Sequence, residues 1–210
     1  MFEKTLIKGA KENLVLLGKS GLLKDAYLAG GTAVALQLGH RISVDFDFFT
    51  LQTFDPRFFA DQLSKIGLFE EKQASKGTVL GKFEGVKFSL SFYQHPLLFS
   101  TINYASLNVA ELRDLAAMKI DAISNRGAKR DFIDLYHICR FGYRLSESLE
   151  LYDKKYGKLA SNLIHLKKSL IYFEDAEGDE MPGMLKKTSW KEVKSFFEDE
   201  VKKLKIRRFG

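Results

Sequence analysis

Tyr27-Leu28-Ala29-Gly30-Gly31-Thr32-Ala33, and a few residues later Ile42-Ser43-Val44-Asp45-Phe46-Asp47-Phe48-Phe49, belong together as one unit. Ala26 to Ala29 is a short apolar run that meets two glycines, which predicts a strand ending in a tight turn. Ala33 to Leu38 predicts a short helix, with Gly39 as its C-terminal cap. Ile42 to Phe49 alternates apolar and polar residues with period two, which predicts a second strand.

Residues two apart on a strand point to the same side, so Asp45 and Asp47 project together and Phe46 faces away. Two adjacent carboxylates repel unless a cation lies between them. A hard divalent ion with oxygen ligands, Mg²⁺ or Mn²⁺, suits the pair. At the other end of the unit, Gly30 and Gly31 allow close backbone approach where a helix begins. A helix N-terminus offers unpaired N–H groups and the positive end of a dipole, a setting for phosphate. Thr32 adds a hydroxyl donor. Phosphate and metal would then meet at one sheet edge, as phosphoryl transfer requires. The competing reading is a plain turn beside solvated or ion-paired carboxylates; the flanking Val44, Phe46, Phe48 and Phe49 speak against an exposed edge strand.

Working outward, Phe2 to Leu17 predicts a helix ended by Gly18 and Gly21, and Pro56 to Leu68 a second one. Thr78 to Phe83 and Val86 to Tyr93 predict a hairpin turning at Glu84-Gly85. From Asn108 onward only helices are expected: Val109 to Ile123, Lys129 to Phe141, Ser146 to Tyr156, Leu159 to Phe173 and Ser189 to Lys205. Ser189 with Glu192 reads as a capping box. Strands mixed with helices, then helices alone, predict an α/β (α+β) domain over residues 1–105 and a helical domain over 106–210.

The Tyr27–Phe49 unit, with Gly39-His40-Arg41 leading into its second strand, resembles the AbiEii/AbiGii toxin family of nucleotidyltransferases. That family lies within the DNA polymerase beta-like superfamily. A second block carries the same resemblance: Asp114-Leu115-Ala116-Ala117-Met118-Lys119-Ile120-Asp121-Ala122-Ile123, followed by Arg126-Gly127-Ala128-Lys129-Arg130-Asp131-Phe132-Ile133-Asp134-Leu135. The resemblance implies a polymerase beta-like minimal nucleotidyltransferase sheet with flanking helices and a C-terminal helical domain. It implies that Gly30, Gly31 and Thr32 hold an NTP and that Asp45 and Asp47 bind Mg²⁺. Lys119 and Asp131 would match the family's downstream Lys and Asp, with Asp134 competing for the second role. Members are toxins of type IV toxin–antitoxin and phage-defence (abortive infection) systems. Some transfer nucleotides to tRNA, and a cognate antitoxin protein is usual.

The residues of the second block agree with a site. Lys119 could neutralise triphosphate charge, and Asp131 could accept the acceptor hydroxyl's proton. An ion-pair network joining two helices is the competing reading. Arg41 stands where it could pair with Asp45 or Asp47, or with a nucleotide phosphate. One departure matters: polymerase-like transferases carry a third carboxylate on a following strand, and Val86 to Tyr93 offers serines instead. One metal or two therefore stays open. Two other classes compete with RNA modification: transfer to a small molecule, and a non-catalytic nucleotide-binding module on the same fold.

The chain has 33 Lys and Arg against 27 Asp and Glu. From Leu185 to Gly210 there are nine basic residues against four acids, so most of the excess lies in the last helix and tail. This is a solvated helix face, or a patch for phosphates and RNA tipped by Lys202, Lys203, Lys205, Arg207 and Arg208. The charged start Met1-Phe2-Glu3-Lys4 is unlike a signal peptide. No stretch reaches the ~18 apolar residues of a membrane span. With Cys139 as the one cysteine, no internal disulfide forms. The expected location is cytoplasmic, with no membrane partner.

Overall fold

Seven strands form one sheet among residues 1–157 and 159–204, which the computed structural model describes. They are β1 (Ala26–Leu28), β2 (Asp45–Thr50), β3 (Phe69–Ser75), β4 (Thr78–Phe83), β5 (Val86–Phe92), β6 (Ile102–Tyr104) and β7 (Leu107–Val109). Their order is β3-β4-β5-β2-β1-β7-β6. β2 pairs antiparallel with β1 and parallel with β5, and β1 pairs parallel with β7. The chain forms two compact units, Met1–Glu111 and Leu112–Gly210. The first runs past residue 105 because β7 is a sheet partner of β1.

In the first unit, helices α1 (Ala10–Ser20), α2 (Gly30–Leu38) and α3 (Pro56–Ile66) accompany the sheet. Period-two alternation sorts the central strands into two faces. Phe46, Phe48, Val79, Phe83, Val86, Phe88 and Leu90 are buried on one face, toward a core shared with Leu14, Leu17, Phe59 and Leu63. The opposite face carries the polar residues of β2, β5 and β4. Asp55 caps α3 by accepting from the backbone N–H groups of Arg57 and Phe58 at 2.9 and 3.2 Å.

Several elements differ from the sequence expectation. The first helix is broken: Glu3–Thr5 is a short 3-10 turn, and Gly9, at φ +84°, restarts the chain as α1. Gly18 lies inside α1, which Gly21 ends; at Gly18 a β-carbon would overlap the Ala105 carbonyl oxygen on the β6–β7 turn, so the glycine serves close packing. β3 has no apolar alternation; it is an exposed edge strand paired by β4 alone. β6 and β7 are too short to announce themselves, and their turn takes Ala105 and Ser106 to φ of 52° and 61°. The expected hairpin at Glu84-Gly85 is present, with φ of 48° and 76°, the positive pair that a tight two-residue β turn needs.

The second unit is helical: α4 (Leu112–Arg126), α5 (Lys129–Phe141), α6 (Leu145–Tyr156), α7 (Leu159–Ser169), α8 (Glu174–Glu177) and α9 (Trp190–Lys203). Phe132 on α5 anchors its core, with the rings of Phe173, Trp190 and Phe197 centred 5.3, 5.8 and 5.4 Å away. A fully buried ion pair, Lys155 Nζ to Asp114 Oδ1 at 3.0 Å, ties α6 to α4. The Ser189–Glu192 capping box opens α9 as expected. Among the described residues no helix is long and apolar enough to cross a membrane.

Candidate active site

Gly30 is the hinge of the first unit's site. It begins α2 with φ +62°, the left-handed region that favours glycine. A β-carbon there would stand 2.5 Å from Asp47 Oδ2. The Ala29 N–H donates to the Asp47 carbonyl at 2.8 Å, which ties the turn to β2. The helix start with its unpaired N–H groups is thereby held directly over a carboxylate of the acidic strand.

Asp45 and Asp47 share the open face of β2, while Phe46 and Phe48 are 1% and 0% exposed on the other. Across the parallel pairing, Lys87 stands beside Asp45 and Ser89 beside Asp47. Ser89 Oγ donates to Asp47 Oδ1 at 2.9 Å, and Lys87 Nζ lies 3.8 Å from Asp45 Oδ1. The positions beside the acid pair are thus a serine and a lysine, and no group of three or more Asp, Glu, His and Cys is clustered for a metal among the described residues. Two carboxylates with hard oxygen donors suit a divalent cation that keeps water or phosphate oxygens for the rest of its shell.

Thr32 departs from expectation. It is 1% exposed; its hydroxyl donates to the Asp45 carbonyl oxygen, with Ser43 Oγ at 2.8 Å. The side chain locks the entry to β2 and is committed there, so only its backbone N–H remains for a phosphate. Gly31 follows in the first turn of α2. Arg41 is 4% exposed and donates from Nη1 to the Ile42 carbonyl at 3.0 Å.

The second unit carries the other cluster. Lys119 on α4 contacts Asp131 Oδ1 at 2.8 Å and Asp134 Oδ2 at 2.6 Å, both on α5. Arg126 adds a fork to Asp131, Nε to Oδ2 at 2.8 Å and Nη2 to Oδ1 at 3.0 Å. Both carboxylates are 0% exposed. Burial pushes the Asp131 carboxyl up, but the Lys119 charge and the Arg126 bonds outweigh it and hold it below its ordinary value. A carboxylate so stabilised and so fully engaged is a weaker proton acceptor than a free one. It joins Lys119 of α4 and Arg126 at the end of that helix to α5.

The basic tip is also modified. Lys202 pairs with Asp199 at 3.6 Å and Lys203 with Glu200 at 2.6 Å on the same helix, so part of the local excess is neutralised. Lys205, Arg207 and Arg208 lie outside the described residues. The acidic stretch 174–180 is a clasp: Asp179 Oδ2 accepts from the Lys129 N–H at 2.9 Å at the start of α5, and Glu177 pairs with Lys194 of α9 at 2.6 Å.

A mixed sheet with a glycine turn opening a helix over an Asp-x-Asp strand, followed by a helical unit, defines the nucleotidyltransferase class. Among solved structures the chain resembles MenT4, a nucleotidyltransferase toxin from Mycobacterium tuberculosis, with a TM-score of 0.57 at 15% identity, covering 95% of this chain and 87% of that one. It also resembles JHP933 from Helicobacter pylori, with a TM-score of 0.56 at 15% identity, covering 94% and 92%. At such identities the likeness speaks for the fold. The family profile described as nucleotidyl transferase AbiEii toxin, type IV toxin–antitoxin system, matches residues 14–88 and 83–209, and the chain belongs to that family. It is a nucleotidyltransferase. A relative of nearly equal length, the uncharacterized protein aq_aa25 of Aquifex aeolicus, is 38% identical over 204 residues, 95% of this chain and 97% of that protein.

Proposed function

We propose that the protein transfers a nucleoside monophosphate from an NTP to RNA, tRNA above all, with Mg²⁺ or Mn²⁺ held by Asp45 and Asp47. The carrying observation is the contact between Gly30 and Asp47, which brings a helix N-terminus and a carboxylate pair to one place. The N–H groups of Gly30, Gly31 and Thr32 would face the triphosphate. Bound there, the cation would neutralise phosphate charge and favour departure of pyrophosphate. The acceptor hydroxyl oxygen attacks the α-phosphorus, the bond to the β-phosphate oxygen breaks, and pyrophosphate leaves with that electron pair. The hydroxyl proton goes to water.

Lys119, matched to the family's downstream Lys, is the candidate cation for phosphate charge, and Asp131 and Asp134 hold its ammonium within the second unit. Arg41 is a candidate nucleotide contact, supported by its position two residues before Ser43 on the approach to β2. The type IV toxin–antitoxin family implies an antitoxin protein as partner. Cytoplasmic action agrees with an RNA substrate. The test is incubation with each NTP labelled at the α-phosphate, total tRNA and Mg²⁺, with EDTA as a second arm. Label in RNA that EDTA abolishes supports the proposal; label in no RNA with any NTP and either metal contradicts it.

A further inference from the structure

The face that carries Asp45 and Asp47 holds a second charge pattern. Strand register aligns Asp45, Lys87, Lys82 and Glu70 in one row across β2, β5, β4 and β3. Lys87 and Lys82 are direct cross-strand neighbours, and like charges so placed repel. Lys87 leans toward Asp45, but 3.8 Å is longer than a charge-assisted hydrogen bond. Lys82 makes no ion pair among the described residues. With Lys72 they line a cleft of about 580 Å³ that also includes Asp45, Asp47 and Ser89. Glu70 and Glu71 line it as well, on β3.

The cations therefore form a short strip with acids on either side. An anion lying between Lys87 and Lys82 relieves their repulsion. The flanking acids disfavour a long polyanion track and leave room for one or two phosphates. The acid pair at one margin puts the strip beside the proposed reacting centre.

We propose that Lys87, Lys82 and Lys72 are the acceptor-strand subsite, holding the phosphodiester backbone of the last nucleotides of a single-stranded RNA end. This rests on the RNA-acceptor reading above. The triphosphate of an NTP offers the same chemistry, so two binding arms separate the sources. In the first, a labelled short single-stranded RNA is titrated with full-length protein over a salt series, without NTP, for wild type, Lys82→Gln, Lys72→Gln and Lys82→Gln/Lys87→Gln. In the second, the same proteins are titrated with a fluorescent NTP analogue.

The expected result is RNA affinity about tenfold weaker in the double variant, with the slope of log affinity against log salt shallower by roughly 0.7 per lysine removed. NTP affinity changes less than twofold, and the melting temperature confirms that each variant is folded. Unchanged RNA affinity and slope in folded variants overturn the subsite while wild-type labelling of RNA still stands. Loss of NTP affinity with RNA affinity kept assigns the lysines to the triphosphate and also overturns it. If wild type neither binds nor labels RNA, the acceptor reading fails and the subsite fails with it.

Discussion

The Asp47 carboxylate occupies the space that any side chain at residue 30 would need: a β-carbon on Gly30 would lie 2.5 Å from Asp47 Oδ2. The glycine also sits at φ +62°, so two separate constraints select it. The sequence suggests a glycine that lets a phosphate approach. The structure adds that the same absence of a side chain lets an acid approach.

Gly30→Ala is therefore expected to suffer twice. The backbone strain costs about 1 kcal/mol, and the clash adds roughly 1–3 kcal/mol or displaces Asp47. Gly21→Ala is the control, since Gly21 has φ +69° but nothing within 4 Å of its β-carbon position. Thermal denaturation should show Gly30→Ala losing clearly more than Gly21→Ala. Equal losses would mean that contact with Asp47 places no demand on the turn.

Lys119→Met leaves Asp131 and Asp134 buried without their shared ammonium, and a loss of about 3–5 kcal/mol at neutral pH is expected. The pH dependence has a definite sign. In the wild type the Asp131 carboxyl is held below its ordinary value, so its contribution is present above the unfolded carboxylate range and is lost as pH falls through the folded value. Without Lys119 the carboxyl loses the largest of the charges that lower it and keeps only Arg126, so the contribution lost on acidification is smaller in the variant than in wild type. Denaturant titrations at pH 7 and pH 4.5 should show the gap to wild type narrowing; a constant gap would contradict this balance.

The Lys155–Asp114 pair has both side chains at 0% exposure. Removing one partner, as in Asp114→Leu, strands a buried charge and should cost about 3–5 kcal/mol. Replacing both with apolar residues should recover much of the loss. A double-mutant cycle by urea unfolding reads this directly, and additive losses would argue against coupling of α4 to α6 through this pair.

Much of the site's framework was legible because it depends on period and glycine chemistry. Asp45 and Asp47 share a face by strand alternation, and the Glu84-Gly85 turn follows from its residue types. The limits are equally physical. Residues 69–75 carry no apolar alternation because β3 is an exposed edge, so its strand nature comes from pairing with β4. Thr32 looks like a phosphate donor until its burial against Ser43 and Asp45 is seen. That Lys119 and Arg126 both engage Asp131 is not legible either, since a sequence gives helix faces but not which groups on two helices meet. The Lys82–Lys87 neighbourhood needs strand register, and only the turn that joins β4 to β5 hinted at it.

The most direct test replaces each acid with its amide and follows label transfer from α-phosphate-labelled NTP to tRNA. Asp45→Asn and Asp47→Asn keep the size of the side chain and remove its charge. Both should fold as wild type does by melting temperature, and both should lose transfer by about 10²-fold or more, the scale of a lost electrostatic contribution to the transition state. Transfer within a few-fold of wild type in either folded variant would contradict a catalytic centre built on this pair.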